Sequence, residues 1–238
     1  MTDTLLLVGR SHTRTVAQTH ADRLRARDVA DRIVVETYDR DPTSLDIAAD
    51  SDAYVVPMAP APDRDTVRAI PGALPAAIHC TPVGTNPQIA RGLVDRARSA
   101  APERNDTSLA LVAFGNGSIS GVGSRETTQA HAERLREATD YGEVTTAYLL
   151  QNPAVECLRY NLSGERAVVV PFFLAACEET TDAITEALEL DRGGLEYTAP
   201  LGTHEAVTDA IEAEFEAARS LGATTAATQP VATDGRGH

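Results

Sequence analysis

The sequence contains no lysine and no tryptophan, and only 4% of its 238 residues are aromatic. All 21 basic residues are arginine, against 35 Asp and Glu residues, so the formal net charge is −14. Proteins that bind nucleic acid carry a basic face or stripe, often with aromatic side chains on which bases stack. Neither pattern occurs here, so the composition argues against nucleic acid as a partner.

Cysteine and long apolar segments are also scarce. Cys80, Cys157 and Cys177 are far apart and form no C-x-x-C pair, so the sequence predicts neither a disulfide framework nor a zinc knuckle. No run approaches the ~20 apolar residues that span a bilayer, and the N-terminus lacks the basic segment of a signal peptide. We therefore expect a cytoplasmic protein with no membrane partner.

The excess of acidic residues without lysine predicts adaptation to molar salt, as in a halophile. Carboxylates repel one another in dilute buffer, whereas at about 1 M salt the Debye length falls to about 3 Å. We expect the melting temperature to rise between roughly 0.1 M and 3 M potassium chloride, the range over which most of the screening develops. An unchanged melting temperature across this range would contradict the prediction.

Residues 168–184, VVVPFFLAACEETTDAI, carry the clearest structural signal. The apolar run predicts a strand buried on both faces. Small residues follow, and then Glu178 and Glu179 at a predicted helix start. Open α/β sheets bind ligands at the carboxyl ends of their strands, although an acid at a helix N-terminus is also stabilising by itself.

A similar segment occurs earlier, at residues 55–71, as VVPMAPAPDRDTVRAIP. Its valine–proline pair recurs 114 residues later, and the same offset aligns Asp65 with Glu179. The phrase PVGTN at 82–86 similarly recurs as PLGTH at 200–204. These matches indicate an internal duplication.

Strands alternate with helices in both halves, which predicts parallel sheets joined by right-handed crossovers. The predicted helices include a short one over 44–49 and a longer one over 178–190. The expected architecture is α/β, with two similar half-domains, each a parallel sheet flanked by helices, facing across a cleft. Asp65 and Glu179 are expected on opposite walls of that cleft. The predicted boundaries are an N-terminal half at 1–100, a linker at 101–107, a C-terminal half at 108–221 and a disordered tail at 222–238.

A glycine-rich loop, GNGSISG, follows the predicted strand 108–114. It begins at Gly115, which we match with Gly9 in the first half. The glycine spacing misses G-x-G-x-x-G by one residue, and no acid ends the next strand, so a dinucleotide site is disfavoured. No Walker A sequence exists, and GNGS is not the nucleophile elbow of a Ser–His–Asp hydrolase.

A strand with G-x-G-S, a strand ending in VVPFFLAA, a helix start and then PLGTH together resemble the sirohydrochlorin cobaltochelatase and ferrochelatase family, the class II chelatases. The resemblance covers roughly residues 4–220. Small members of that family dimerise, and larger ones are internally duplicated. The resemblance implies a tetrapyrrole in the cleft and ATP-independent insertion of a divalent metal in cobalamin or siroheme biosynthesis. Cobalt(II) is the first candidate, iron(II) and nickel(II) are alternatives, and no permanently bound cofactor is expected.

The two histidines of the family are replaced in this chain. At the first-loop position stand Asn116 in the second half and Arg10 in the first. After the apolar strand stand Glu179 and Asp65, and His12 is the nearest imidazole. Carboxylates are ionised at neutral pH and can accept protons or bind cobalt(II) and iron(II). We therefore expect a weak, releasing metal site with mixed oxygen and nitrogen ligands.

The predicted catalytic residues are Glu179 and Asn116. The predicted metal ligands are Glu179, Asp65 and His12. The predicted tetrapyrrole-binding residues are Arg10, Gly115, Gly117, Ser118, Arg125, Ala175 and Ala176. The two arginines are expected either to clamp substrate carboxylates or to pair with nearby acids. A chelatase and a non-catalytic tetrapyrrole- or metal-binding carrier or subunit both remain open, as do monomer and homodimer.

Overall fold

The computed structural model describes residues 3–45, 52–115, 123–164 and 166–227, with side chains up to residue 221. The strands are β1 (Thr4–Arg10), β2 (Arg32–Tyr38), β3 (Ala53–Pro57), β4 (Ile78–His79), β5 (Thr107–Ala113), β6 (Glu143–Tyr148), β7 (Arg166–Pro171) and β8 (Leu195–Tyr197). The α-helices are α1 (Arg14–Ala26), α2 (Ile70–Ala73), α3 (Ile89–Ala100), α4 (Ser124–Ala138), α5 (Leu158–Asn161), α6 (Ile184–Ala187) and α7 (Glu205–Ala227). The strands form two parallel sheets, ordered β2-β1-β3-β4 and β6-β5-β7-β8. The predicted α/β class and the repeated half are confirmed.

The two sheets share one apolar core. On β1, Leu5 and Leu7 face this core, whereas Leu6 and Val8 face a separate cluster on the outer side. Successive residues of a strand point to opposite faces, so a strand buried on both sides must be apolar throughout. The same alternation occurs on β5.

The last helix of each half packs against the sheet of the other half. Helix α3 contacts β7 and α4, and helix α7 contacts β3 and α1. The rings of Tyr54 on β3 and Phe215 on α7 meet edge to face, with their centroids 5.0 Å apart. Each sheet is therefore covered partly by a helix from the other half. The elements that pack together come from both sides of the linker predicted at 101–107.

The duplication is visible in the loops that follow β3 and β7. The segments Asp65–Ala69 and Glu179–Ala183 are both π-helical, and each leads into a short α-helix. Before the first, the Asp63 N–H donates to Thr66 Oγ1 at 2.9 Å. Before the second, the Cys177 N–H donates to Thr180 Oγ1 at 2.9 Å. The equal hydrogen bonds support the alignment of Asp65 with Glu179, and π-helical turns are frequent at functional sites.

The sheet register corrects one predicted match. The proline that ends β3 pairs with Val8, and the equivalent proline of β7 pairs with Val112. These valines are therefore equivalent, with an offset of 104 rather than the 106 obtained by matching Gly9 with Gly115. Gly9 lies inside β1, whereas Gly115 lies two residues beyond the end of β5. The match was wrong because a glycine can stand inside a strand as well as after it.

Two predicted boundaries also differ from the structure. Strand β5 begins at Thr107, inside the predicted linker. Helix α7 continues to Ala227, past the predicted start of the tail at 222. A helix extends at little cost once it is formed, and alanine has the highest helix propensity. Residues 228–238 of the predicted tail lie outside the described residues.

Two predicted helices take other forms. The helix predicted over 178–190 is divided into the π-helical segment, α6 and a 3-10 turn at Leu190–Arg192. The short helix predicted over 44–49 lies mostly outside the described residues, and Pro42–Ser44 before it forms a 3-10 turn. Among the described helices, none is long and apolar enough to cross a membrane.

Candidate active site

A cavity of about 240 Å³ lies where the carboxyl ends of strands from both sheets meet. Its polar lining includes Arg10, His12, Asp63, Cys177 and Glu179. Its apolar lining includes Val8, Met58, Ile70, Phe114, Phe173 and Leu174. Pockets for drug-sized ligands typically measure about 300–1,000 Å³, so a ligand of that size would fit inside this cavity only in part.

Glu179 and His12 bring a carboxylate and an imidazole into this cavity from different halves. Partial burial opposes the ionisation of Glu179, but its own backbone N–H, Cys177, His12 and Arg10 together hold its pKa below the usual value. Burial lowers the pKa of His12, and Arg10 adds to this effect, whereas Glu179 opposes it. At neutral pH the pair therefore presents an ionised carboxylate and a neutral imidazole, the forms in which both groups bind metals.

Cys177 stands beside Glu179 in the same cavity lining. Burial and the neighbouring carboxylate raise the pKa of its thiol. The thiol is therefore protonated at neutral pH, and metal binding through sulfur needs the thiolate. An ion would therefore have to displace a proton from this sulfur, whereas the Glu179 carboxylate is already ionised.

Arg10 and Asp65 are bound to each other. An Arg10 Nη2–H donates to Asp65 Oδ2 at 2.6 Å, and the Tyr38 hydroxyl donates to the same oxygen at 3.2 Å. The Arg10 guanidinium also lies 5.9 Å from the centroid of the Tyr38 ring. Asp65 itself does not line the cavity, although Arg10 and Tyr38 do. The expectation that Asp65 and Glu179 form opposite walls is therefore corrected: Asp65 holds the residues that form one wall.

The predicted metal-ligand set is not assembled as a whole. Within the described residues, no three His, Cys, Asp or Glu side chains are close enough to share one ion. Glu179 and His12 are near enough to shift each other's pKa, whereas the Asp65 carboxylate is occupied by Arg10 and Tyr38. Of the three predicted ligands, Glu179 and His12 line the cavity and Asp65 does not.

The predicted tetrapyrrole-binding residues are only partly on the cavity. Ala175 lines it, but the neighbouring Ala176 is exposed and does not. Arg125 donates to the Asn152 carbonyl at 3.1 Å and lies 6.0 Å from the Tyr148 ring, away from the lining. Neither partner is an acid, so these contacts correspond to neither of the two roles expected of Arg125.

Gly115 shapes the turn after β5 rather than the cavity. Its φ of +75° is in the left-handed region, and a Cβ there would lie 2.6 Å from Tyr148 Cβ. Its N–H donates to Ser124 Oγ at 3.2 Å, and Ser124 does line the cavity. Asn116, Gly117 and Ser118 lie outside the described residues, so their predicted roles stay predictions. By register, Arg10 is equivalent in position to Phe114 and not to Asn116.

Sequence reasoning missed Tyr38 and the aromatic lining residues Phe114 and Phe173. Tyr38 ends β2, and its strand partner is Arg10. The rule that sites lie at the carboxyl ends of parallel strands points to such residues once the strand ends are known. The hydrogen bond to Asp65 depends on residues 27 positions apart and has no sequence signal.

Two parallel α/β units with their strand ends on one shared cavity are the architecture that the resemblance to the class II chelatases implies. Residues 110–218 match the CbiX family model. A relative from Halobacterium salinarum named "Probable sirohydrochlorin cobaltochelatase" is 30% identical over 111 residues, which cover 45% of this chain and 37% of the relative. The second half of this chain is therefore similar to the class II chelatases, and the match spans little more than a third of this relative.

Solved structures show the same fold. SirB from Bacillus subtilis with Fe³⁺ has a TM-score of 0.74 at 14% identity, covering 93% of this chain and 98% of that one. CbiX, described as the terminal enzyme of siroheme biosynthesis in denitrifying bacteria, has a TM-score of 0.70 at 20% identity, covering 90% and 98%. A multi-domain protein of Deinococcus radiodurans with structural similarity to chelatases has a TM-score of 0.71 at 21% identity, covering 90% and 54%.

Proposed function

We propose that this chain inserts a divalent metal ion into sirohydrochlorin without ATP, in the cytoplasm and in cobalamin or siroheme biosynthesis. Cobalt(II) is the first candidate metal, with iron(II) and nickel(II) as alternatives. The observation that carries the proposal is the pair of Glu179 and His12 in the cavity between the halves. The name of the Halobacterium relative supports the substrate class. Similar folds solved with Fe³⁺ and with cobalt support a metal substrate of this kind.

The chemistry needs one transient metal site and two proton acceptors. Insertion replaces two pyrrole N–H protons by one divalent ion, so the ion enters as two protons leave. Glu179 is ionised and His12 is neutral, so each can bind the ion or accept one proton. His12 is a neutral nitrogen base, and Glu179 is the anionic ligand that offsets the charge of the arriving ion. Two protein ligands hold the ion weakly, which favours its transfer to the four nitrogens of the macrocycle.

Arg10 provides a cation at the rim of the same cavity. Its side chain is about half exposed although it is paired with Asp65. A planar guanidinium has more hydrogen-bond donors than one carboxylate oxygen uses. In our proposal Arg10 binds a carboxylate at the edge of the tetrapyrrole with its free donors, while Asp65 fixes its orientation.

An absorbance assay with purified protein, sirohydrochlorin and cobalt(II) in molar salt tests the proposal. A chelatase gives metallated product in large excess over protein. The same assay with iron(II) and nickel(II) ranks the metals. If the initial rate does not exceed the spontaneous rate for any of them, the proposed activity is wrong.

A non-catalytic carrier is the second candidate function. It is favoured by one observation, the absence of a three-ligand cluster among the described residues. A carrier binds tetrapyrrole or metal with a stoichiometric spectral change and no turnover. The two functions are therefore separated by the amount of product formed per protein molecule.

We expect Asp65→Asn to lower the insertion rate by roughly tenfold or less, about 1.4 kcal/mol of barrier. The amide keeps the size of the side chain but removes the charge that orients Arg10. Tetrapyrrole binding should persist, because Arg10 remains at the rim. Initial rates at saturating metal measure the effect, and Asp182→Asn, an exposed carboxylate outside the lining, is the matched control. A loss above a hundredfold would place Asp65 in the chemistry itself.

A further inference from the structure

Two buried histidines occupy equivalent positions on the inner helices of the two halves. His20 on α1 and His131 on α4 are both fully buried. Three other buried positions of α1 recur on α4 with the same spacing of 111 residues: Ala17, Ala21 and Leu24 correspond to Thr128, Ala132 and Leu135. The histidines are therefore copies of one ancestral position, and neither lines the cavity.

Each histidine reaches into the opposite half. His20 Nε2 lies 3.1 Å from the Gly202 carbonyl oxygen, and His131 Nε2 lies 2.7 Å from the Gly84 carbonyl oxygen. These glycines belong to the repeated turns at 82–85 and 200–203, which we call the glycine turns. A carbonyl oxygen only accepts hydrogen bonds, so both Nε2 atoms carry a proton. Burial lowers the pKa of each ring to about 4, so both rings are neutral at pH 7. His20 Nδ1 correspondingly accepts from Thr208 Oγ1 at 2.8 Å.

The glycine turns in turn support the cavity. The Gly84 N–H donates to the Ala59 carbonyl at 3.0 Å, and the Gly202 N–H donates to the Leu174 carbonyl at 2.9 Å. Ala59 and Leu174 line the cavity on the walls of the first and second half. Gly84 also packs directly on the next wall residue, because a Cβ at Gly84 would lie 2.1 Å from Pro60 O.

We propose that His20 and His131 are positioning residues for this cavity, each holding from one half the glycine turn that supports the wall of the other half. His131 thus fixes the wall at 58–61, and His20 fixes the wall at 172–175. We call each series of contacts, from histidine to glycine turn to cavity wall, a relay. One relay runs in each direction between the halves, so both walls are supported only when the two halves are docked. The consequence for tetrapyrrole binding rests on the proposed function, whereas the consequence for the walls does not.

Matched amide variants test the relay. Gln places its amide nitrogen near the position of His Nε2, whereas Asn is one methylene shorter and does not reach the carbonyl. We expect His131→Asn to raise amide hydrogen exchange at residues 58–59 and 84 by roughly 3- to 10-fold, the effect of losing one hydrogen bond. Exchange at 172–174 and 201–202 should stay unchanged, and His131→Gln should restore the wild-type pattern. His20→Asn and His20→Gln should give the mirror result.

The same variants report on ligand binding. We expect the dissociation constant for sirohydrochlorin, titrated by absorbance, to rise by roughly 3- to 10-fold in the Asn variants and not in the Gln variants. If an Asn variant does not fold, the corresponding Leu variant fills the volume without a donor and replaces it. Increased exchange confined to the mutated helix, or equal in both walls, would overturn the positioning role. If the wild-type protein does not bind sirohydrochlorin, the proposed function fails, and the exchange pattern still decides the relay.

Discussion

Replacing Glu179 with Gln is expected to lower the rate of metal insertion by roughly 10²–10⁴, the usual contribution of a positioned base, or about 3–5 kcal/mol of barrier. Glu179 lines the cavity, and its ionised carboxylate lies near the neutral imidazole of His12. Gln keeps the shape of the side chain but loses its charge and basicity. Insertion rates at saturating cobalt(II), with tetrapyrrole binding measured separately, separate the chemical step from binding.

Glu178→Gln is the matched control for this variant. Glu178 precedes Glu179 directly, but it is exposed and does not line the cavity. The control removes one carboxylate from the same helix start but changes nothing in the cavity lining. It should therefore insert metal at the wild-type rate. If Glu179→Gln also retains the full rate, the catalytic assignment is wrong and the carrier becomes the better interpretation.

Acidification between pH 7 and pH 5 is expected to lower the free energy of unfolding by about 4 kcal/mol, about 2 kcal/mol for each buried histidine. Burial is the main cause that lowers the pKa of His20 to about 4, with Arg23 and His204 adding to it against the Gly202 carbonyl. Burial and Arg134 similarly lower the pKa of His131 to about 4, against the Gly84 carbonyl. Both histidines titrate near 6.5 when the chain is unfolded. The unfolded state therefore binds more protons below pH 6.5, and the stabilisation is lost as the pH falls towards 4.

Denaturant unfolding at pH 7, 6 and 5 in constant molar salt measures this effect. The double variant His20→Gln and His131→Gln keeps both donors but removes both titrating groups. Its stability should therefore fall less over this range, by the remaining contribution of His12, whose pKa is also lowered. The carboxylates whose pKa values are lowered, such as Glu103 and Asp209, lose stability only at lower pH. A wild-type slope equal to that of the double variant would show that the histidines are not buried in the neutral form.

Much of the fold could be predicted because its signals are local. The apolar run before Glu179 identifies β7, since a strand covered on both faces has no polar positions. The repeat of that phrase predicted the second sheet, and the two sheets have the same strand order. The boundaries were less certain, because a helix continues or stops according to its packing. Helix α7 shows this, since it runs past the predicted boundary.

The candidate site could be predicted only in part, because its residues come from separate loops. Glu179 was found from its position after an apolar strand, and the structure does place it in the cavity. The proximity of His12 to Glu179 involves residues from different halves. The pairing of Arg10 with Asp65 spans 55 positions and changes the role expected for Asp65. Neither contact leaves a pattern in a single sequence.

The class of fold, the duplication and the acidic residue after each central strand could be predicted from the sequence, because hydrophobic periodicity and repeated segments are properties of neighbouring residues. The packing of α3 and α7 on the sheets of opposite halves is visible only in three dimensions. The same holds for the hydrogen bonds of His20 and His131 to the glycine turns across that interface. These contacts depend on how two sheets dock, and docking is set by the shape and burial of whole faces rather than by any one segment.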